Sequence, residues 1–185
     1  MKMPLLLGLL ALSMACPARS ARAVSFVSRS MSAFSPAALR RQYEQAAAGK
    51  EAGEAFYNTL HDYHGQEPLV LGYKAASEAI KARDASMLNK LTYVQQAART
   101  FEQAVGLDAQ SAEIRFLRFS VESNLPAFLG LSKHVDEDKD FLLNAALQHP
   151  RSGLDEEAFR TVRGFLVGRG HVTGEAAEQL ARVKS

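Results

Sequence analysis

Two histidines and a glutamate offer one pattern in the chain that could do metal chemistry. His61 and His64 lie three positions apart, which would place both imidazoles on one face of a helix, and Glu67 follows three positions later. A catalytic zinc ion takes three protein ligands and keeps a fourth position for water, so this loose cluster defines the hypothesis of a metal-dependent hydrolase. The alternative is a solvated helix end, where the imidazoles face the negative end of the helix dipole.

Two arginines between Ala112 and Ser123 have the spacing to recognise an anion. Arg115 and Arg118 share a narrow stripe with Glu122, while apolar residues cover most of the remaining circumference. In one interpretation both guanidinium groups line a groove and form bidentate hydrogen bonds with a carboxylate or another anion. In the other they pair internally with Glu122 or with acids of neighbouring helices, because a charge beside a core must be compensated.

Two further segments resemble functional loops only superficially. Segment 136–140 alternates carboxylates but lacks the glycine and the distal glutamate of a calcium loop, so we interpret it as a charged helix start. Segment 168–171 is glycine-rich, without the lysine or the preceding strand of a phosphate loop. The sequence has no nucleophile elbow and no His-Glu-x-x-His motif. We therefore predict a non-catalytic protein without a cofactor or a metal ion.

Helical periodicity runs through the chain from Pro36 onward, and no segment alternates as a strand would. Glycines and prolines separate the helices, because glycine closes a helix and proline suits a first turn. The predicted fold class is all-α, built as antiparallel helical hairpins. The predicted helices are Pro36–Ala48, Lys50–His64, Pro68–Arg83, Met87–Val105, Ala112–Ser123, Asp136–Gln148, Asp155–Val167 and Gly174–Val183.

The amphipathic faces of these helices identify a core. Between Pro68 and Arg83 the large apolar residues fall within one arc, opposite Lys74, Glu78 and Lys81. The helix that follows has an apolar side as well, with polar residues opposite. The predicted core includes Phe56, Leu60, Tyr73, Ile80, Phe101, Ile114, Leu117, Phe141 and Phe159.

Segment 97–113 resembles a tetratricopeptide repeat at the point where one repeat passes to the next. In that family a small-large-small triplet packs the two helices of a repeat, and a turn then leads to the following first helix. Ala109 stands where the family usually has proline, and the interval 81–91 is longer than the family's turn. The matching residues are Ala97, Phe101, Ala104, Leu107, Asp108, Ala112 and Glu113, with Leu71 and Gly72 as the pair of an upstream first helix.

This resemblance implies stacked units whose first helices line a concave surface for a protein or peptide partner. The first helices would be Pro68–Arg83 and Ala112–Ser123, and an acidic segment or a C-terminal carboxylate would suit their basic residues. The helical wheel places Tyr73 on the buried arc, which makes it the least suited of the candidates. The candidate partner-binding residues, expected to be exposed, are Tyr73, Lys74, Lys81, Arg115 and Arg118.

The first residues of the chain resemble an export signal. A short basic start precedes an apolar run from Pro4 to Ala15, which is as long as a signal-peptide core and too short to span a bilayer. Small residues permit cleavage after Ala15 or after Ala23. Cleavage after Ala15 would expose Cys16, the only cysteine, as a candidate for lipidation. The alternative is an organellar transit peptide, because the stretch before Glu44 is rich in serine and arginine and has no acidic residue.

The charge of the chain indicates its class of partner, and its segments predict the domain organisation. Without the three basic residues of segment 1–23, the chain has 19 basic and 20 acidic residues, so we predict no nucleic-acid partner. Residues 1–23 form a signal peptide, residues 24–35 a linker and residues 36–185 a single helical-repeat-like domain. The phrases LVLGYKAA and AEIRFLRF resemble a group of small exported bacterial proteins, a resemblance that implies no activity.

The function expected from these observations is a non-catalytic protein- or peptide-interaction module of the cell envelope or exterior. Such a chain would be periplasmic, extracellular or lipid-anchored, and it would meet a membrane only through a lipid anchor. The alternatives are a structural lipoprotein anchored at Cys16 and the metal-dependent hydrolase of the histidine pattern.

Overall fold

The computed structural model describes residues 34–184, and the fold within that range is all-α, as the periodicity predicts. This part of the chain has eight α-helices, one 3-10 helix at Ala127–Leu129 and no strand. The predicted signal peptide, its cleavage sites, Cys16 and most of the linker 24–35 lie outside the described residues. The helices are α1 (Pro36–Ala48), α2 (Lys50–Leu60), α3 (Pro68–Asp84), α4 (Met87–Leu107), α5 (Ala112–Glu122), α6 (Val135–Leu147), α7 (Glu156–Gly168) and α8 (Gly174–Arg182).

Local caps explain where several helices begin. The side chain of Ser35 accepts a hydrogen bond from the amide of Ala38, and Pro36 fills the first position of α1, where no amide donor is needed. Ser111 caps α5 and Asp155 caps α7 in the same way. Because these signals are local, the predicted starts of all three helices lie within one residue of the observed starts.

Helix α2 is shorter than predicted. Its apolar period extends to His64, whereas the helix ends at Leu60. The amide of Tyr63 donates to the carbonyl oxygen of Leu60 over 2.9 Å, which closes a turn. Lys74 of α3 then donates to the carbonyl oxygens of His61 and Tyr63, over 2.9 and 2.8 Å. A side chain of the following helix therefore satisfies two carbonyl groups of the turn that comes after α2.

Helix α5 lies at the centre of the packing, because apolar side chains cover most of its circumference. Phe116 and Phe119 join side chains of α6, α7 and α8 in one cluster. Leu117 joins a second cluster with α1, α2, α3 and α4, and Ile114 joins a third with α3 and α4. The same helix thus contributes to every part of the core that these clusters form.

The predicted core is largely confirmed, with one correction. Phe141 is only partly buried, while the other predicted core residues are buried. The guanidinium carbon of Arg115 lies 4.5 Å from the centre of the Phe141 ring, so a charged group covers this aromatic side chain. The neighbouring Leu142 has no exposed surface and takes the buried position instead.

Alternate helices also pack on one another. Helix α1 contacts α3, and α3 contacts α5, in addition to the contacts between helices that follow each other in the sequence. The longest helix, α4, has 21 residues. Within residues 34–184, no helix has both the length and the apolar character needed to cross a membrane.

Candidate functional site

A groove lies between helices α1, α3, α4, α5 and α7. It consists of cavity A, of about 350 Å³, and cavity B, of about 360 Å³. The walls of cavity A come from α1, α3, α5 and α7, and those of cavity B from α1, α3, α4 and the end of α5. The two cavities are adjacent, because both are lined by Tyr43, Ala47, Ser120 and Asn124.

The centre of the groove is polar, whereas most of its walls are apolar. The hydroxyl oxygens of Tyr43 and Ser120 lie 3.3 Å apart, and Asn124 donates from Nδ2 to the carbonyl oxygen of Ser120 over 2.7 Å. Burial raises the pKa of the Tyr43 phenol, which keeps the hydroxyl neutral. The Ser120 hydroxyl is buried and donates to the carbonyl oxygen of Leu117 over 2.8 Å, whereas Asn124 is exposed and can form hydrogen bonds with a bound chain. The apolar walls include Ile80, Val94, Phe116, Val121, Val162 and Phe165.

One wall of cavity A is braced by the carboxylate of Glu113. Arg40 of α1 donates to both of its oxygens, over 2.8 and 2.6 Å, and Tyr73 of α3 donates to the same group over 2.6 Å. Arg40 also donates to Asp155 at the start of α7 over 2.6 Å. The hydrogen bond to Glu113 raises the pKa of Arg40, and burial raises the pKa of Tyr73. A charged guanidinium and a neutral phenol therefore hold four elements around one carboxylate.

The structure corrects the expected exposure of Tyr73, Arg115 and Arg118, whose exposed fractions are 2%, 8% and 4%. Both arginines pair with Asp138 of α6, over 2.7 to 2.8 Å. Arg115 also donates to Glu137 over 2.7 Å, and this hydrogen bond lowers the pKa of the Glu137 carboxyl. Of the two interpretations of the arginines, internal pairing is therefore the one that the structure shows.

Lys74 and Lys81 have intramolecular partners as well. Lys74 donates to the two carbonyl oxygens beyond the end of α2. Lys81 pairs with Glu54 of α2, and its ammonium group lies 5.4 Å from the centre of the Tyr57 ring. The five predicted partner-binding residues are consequently not gathered on one open surface, since each of them ties α3 or α5 to a neighbouring element.

The histidine pattern does not form a metal site in the described part of the chain. Residues 34–184 contain no group of three or more histidine, cysteine, aspartate and glutamate side chains placed to hold a metal ion. Because α2 ends at Leu60, His61 and His64 do not share a helical face. His61 bonds instead to the carbonyl oxygen of Asn58, over 3.0 Å, and lies 3.1 Å from the carboxylate of Asp62.

Charge is distributed unevenly along the groove. Cavity A has acidic and basic lining residues, among them Glu44, Glu157 and Arg169. The charged residues that line cavity B are Arg83 and Lys90, and no acidic residue is among its lining residues. Arg83 pairs with Asp84, whereas Lys90 takes part in none of the ion pairs found among residues 34–184. The B end of the groove therefore offers a cation to a bound anion.

Helices α1 and α7 line the groove, although no candidate site residue was predicted on either of them. A signal was present, because Arg40, Tyr43 and Ala47 recur at spacings of three and four and so share one stripe of α1. What faces that stripe depends on contacts between distant residues. Arg40 and Asp155, for example, are separated by 115 positions in the chain.

Comparison with protein-family models, with curated proteins and with solved structures finds no match for this chain.

Proposed function

We propose that this chain is a non-catalytic protein- or peptide-interaction module of the cell envelope or exterior, and that the groove holds a segment of its partner. The observation that carries the proposal is a pair of adjacent cavities that share four lining residues. Their walls are mostly apolar, and the side chain of Asn124, which lines both, can bond to a peptide backbone. The brace around Glu113 holds the walls in place before a partner arrives, which lowers the entropic cost of binding.

A tetratricopeptide-like stacking of the helices is part of this proposal. Helices α1, α3 and α5 would act as the first helices of successive pairs, with α2, α4 and α6 as their second helices. The contacts of α1 with α3 and of α3 with α5 support this arrangement. So does the small-large-small triplet Ala97, Phe101 and Ala104, all of which are buried. In such a stack the first helices line the surface that binds a partner, and three of the four walls of cavity A come from those helices.

The proposed partner segment is apolar in its middle and carries a carboxylate at one end. Apolar side chains would pack against Phe116, Val121 and Phe165 along the walls. The carboxylate would lie in cavity B beside Lys90, which is in none of the ion pairs found among the described residues and whose charge acts on Asp84 at longer range. The sequence predicts that an acidic segment or a C-terminal carboxylate binds at Lys74, Lys81, Arg115 and Arg118. Lys90 takes that role here, because Asp138 neutralises the two arginines and the two lysines have partners within the chain.

A pair of alanine substitutions on α1 tests the groove. Ala47 is exposed and lines both cavities, while the adjacent Ala48 is exposed and lines neither. We expect Ala47→Trp to fill the junction and to abolish recovery of a partner from the native envelope under gentle extraction. Ala48→Trp, the matched control, should retain it. Thr161→Trp, at an exposed position of cavity A, should act as Ala47→Trp does.

Two results are needed for each variant: the identity of the recovered partner and the helical content of the chain. Circular dichroism must show unchanged helical content in all three variants. A partner recovered equally by Ala47→Trp and by the wild-type chain would exclude the groove. Recovery of no partner at all would favour the alternative of a structural lipoprotein anchored at Cys16.

Location in the envelope or exterior is proposed from the N-terminal sequence. A mature chain beginning at Cys16 or Val24 supports export, and mass spectrometry of the first peptide distinguishes an acylated Cys16 from a removed one. An uncleaved chain in the cytosol would contradict it. An import-dependent cleavage in an organelle would support the transit-peptide alternative.

A further inference from the structure

Several large apolar side chains are almost fully exposed at one end of the fold. The exposed fractions are 86% for Met87, 90% for Leu88 and 87% for Phe128, and Leu91 is exposed as well. We call these four residues the apolar tip. They lie on the first turns of α4 and on the 3-10 helix that follows α5. Exposure this high means that each side chain projects into solvent with little protein beside it.

Shared lining residues place the parts of the tip near each other. Lys90 of α4 and Leu125 after α5 line the same cavity B, so the start of α4 and the segment after α5 both border that cavity. Phe128 follows Leu125 by three positions, which limits the distance between their Cα atoms to about 11 Å. Ser132, later in the same loop, donates to the carbonyl oxygen of Glu122 over 2.9 Å and so keeps the loop at that end of α5.

The charges near the tip that belong to no ion pair found among residues 34–184 are basic. Arg83 pairs with Asp84, His134 with Glu122 and Lys139 with Asp136, whereas Lys90 and Lys133 are in none of these pairs. Projecting apolar side chains beside cations complement the surface of a membrane with anionic lipids, which offers hydrocarbon beneath negative headgroups. A protein partner would more commonly meet a flatter patch of partly buried apolar residues.

We propose that the apolar tip inserts into the surface of a membrane that contains anionic lipids. This contact uses the folded domain itself, so it is distinct from any anchor at Cys16 and from the groove. It would hold the chain on the membrane with the B end of the groove close to the lipid surface, since Lys90 belongs to cavity B and follows Leu88 by two positions.

The absence of tryptophan from the chain permits a site-specific test. Leu88→Trp and Phe128→Trp place single probes in the tip. Leu107→Trp is the matched control, because Leu107 is also an exposed leucine of α4 but lies about 30 Å along the helix from its start. Each full-length variant is mixed with phosphatidylglycerol–phosphatidylethanolamine vesicles whose acyl chains carry bromine, a contact quencher of tryptophan fluorescence.

We expect emission from Leu88→Trp and Phe128→Trp to shift to shorter wavelength and to be quenched, while emission from Leu107→Trp stays unchanged. Lys133→Gln, introduced into the Leu88→Trp chain, should weaken vesicle binding roughly fivefold without touching cavity B. Both chains, Leu88→Trp with and without Lys133→Gln, should bind vesicles of phosphatidylcholine alone more weakly than they bind the anionic vesicles.

Three results would overturn the proposal. Absence of quenching at both tip positions shows that the tip stays in water, even where residues 1–33 attach the chain to vesicles. Equal quenching at all three positions shows that the protein contacts the vesicles without a preferred orientation. A blue shift produced only by a lipid-free envelope extract, without bromine quenching, would assign the tip to a protein partner. None of these results bears on Ala47→Trp, so failure of the tip and failure of the groove are distinguishable.

Discussion

Asp138 is a carboxylate with no exposed surface that two arginines of α5 neutralise. One oxygen accepts from Arg115 and Arg118 and the other from Arg118, over 2.7 to 2.8 Å. A buried charge is tolerated only with such partners, since leaving it unpaired costs far more than the pair contributes over an apolar substitute. The residues thus fix how α5 lies against α6.

We predict that Asp138→Asn lowers the free energy of unfolding by about 3–5 kcal/mol, because it leaves two guanidinium groups without their shared counter-charge. Urea unfolding followed by circular dichroism measures the change. Asp136→Asn is the control on the same helix, since its pair with Lys139 is exposed and should contribute at most about 1 kcal/mol. Equal effects of the two substitutions would refute the structural role assigned to Asp138.

Glu78 is a second buried acid, and no cation pairs with it in the described part of the chain. Gln96 donates to one oxygen over 2.9 Å, and Thr100 donates to the other over 2.8 Å. Burial raises the pKa of the Glu78 carboxyl, although these two hydrogen bonds act in the opposite direction. A carboxyl whose pKa is raised by folding makes its most favourable contribution in the protonated form, at low pH.

We therefore predict that Glu78→Gln raises the free energy of unfolding at pH 7. The amide can accept from Gln96 and donate to Thr100, whose hydroxyl is also 3.1 Å from the carbonyl oxygen of Gln96 and can donate there. The advantage should shrink as the pH falls toward about 4, where the carboxyl is mostly protonated in the folded chain and increasingly protonated in the unfolded chain as well. Urea unfolding at pH 4 and pH 7 gives the comparison. A variant that is less stable at pH 7 would contradict the raised pKa.

At the scale of elements, α2 and α3 approach closely at a glycine. A Cβ atom added at Gly53 would lie 2.9 Å from Cγ2 of Ile80, a methyl group on a β-branched side chain of α3. Such a side chain cannot rotate away easily, because few of its rotamers are allowed in a helix. The crossing of α2 over α3 therefore depends on the missing side chain.

We predict that Gly53→Ala destabilises the protein by about 1–3 kcal/mol through overpacking, despite the better helix propensity of alanine. Gly164→Ala is the matched substitution, because Gly164 lies within α7 and an added Cβ atom would meet nothing within 4 Å. There we expect a gain of about 1 kcal/mol. Thermal unfolding of both variants checks the signs, and a gain at both positions would show that the crossing is looser than described.

At the scale of the whole molecule, α5 joins two parts of the core. One cluster packs α5 with α6, α7 and α8, and another packs α5 with α1, α2, α3 and α4. Leu180 is the buried residue by which α8 joins the first cluster. Contiguous parts of a fold can open separately when few buried contacts connect them.

We predict that Leu180→Ala lowers the free energy of unfolding by about 2–5 kcal/mol. We expect it to destabilise α6, α7 and α8 more than α1 to α4. Amide hydrogen exchange should accelerate in α6, α7 and α8, while amides of α1 to α4 keep their protection. Mass spectrometry of peptides from each helix resolves the two halves. Uniform acceleration across all helices would instead show that the domain opens as one unit.

The sequence by itself determined the helices and most of their buried faces, although Glu78, predicted on the polar face of α3, is fully buried. Predicted and observed bounds of α1 agree at both ends, and the buried triplet Ala97, Phe101 and Ala104 follows from spacing alone. Periodicity, caps and helix-breaking residues are local properties, because a helix bonds each amide to a carbonyl four positions earlier. The end of α2 was predicted wrongly, because Lys74 of the next helix bonds to the carbonyl groups of His61 and Tyr63 in a turn that the apolar period does not reveal.

Only the tertiary structure decided which polar groups face one another. The spacing of Arg115 and Arg118 fits an open groove as well as a buried pair, and Asp138 of α6 settles the choice. The groove likewise unites Tyr43 of α1 with Ser120 of α5, 77 positions apart. A charge beside the core is compensated by whichever partner the packing brings near, and the packing depends on long-range contacts between apolar faces that no local pattern specifies.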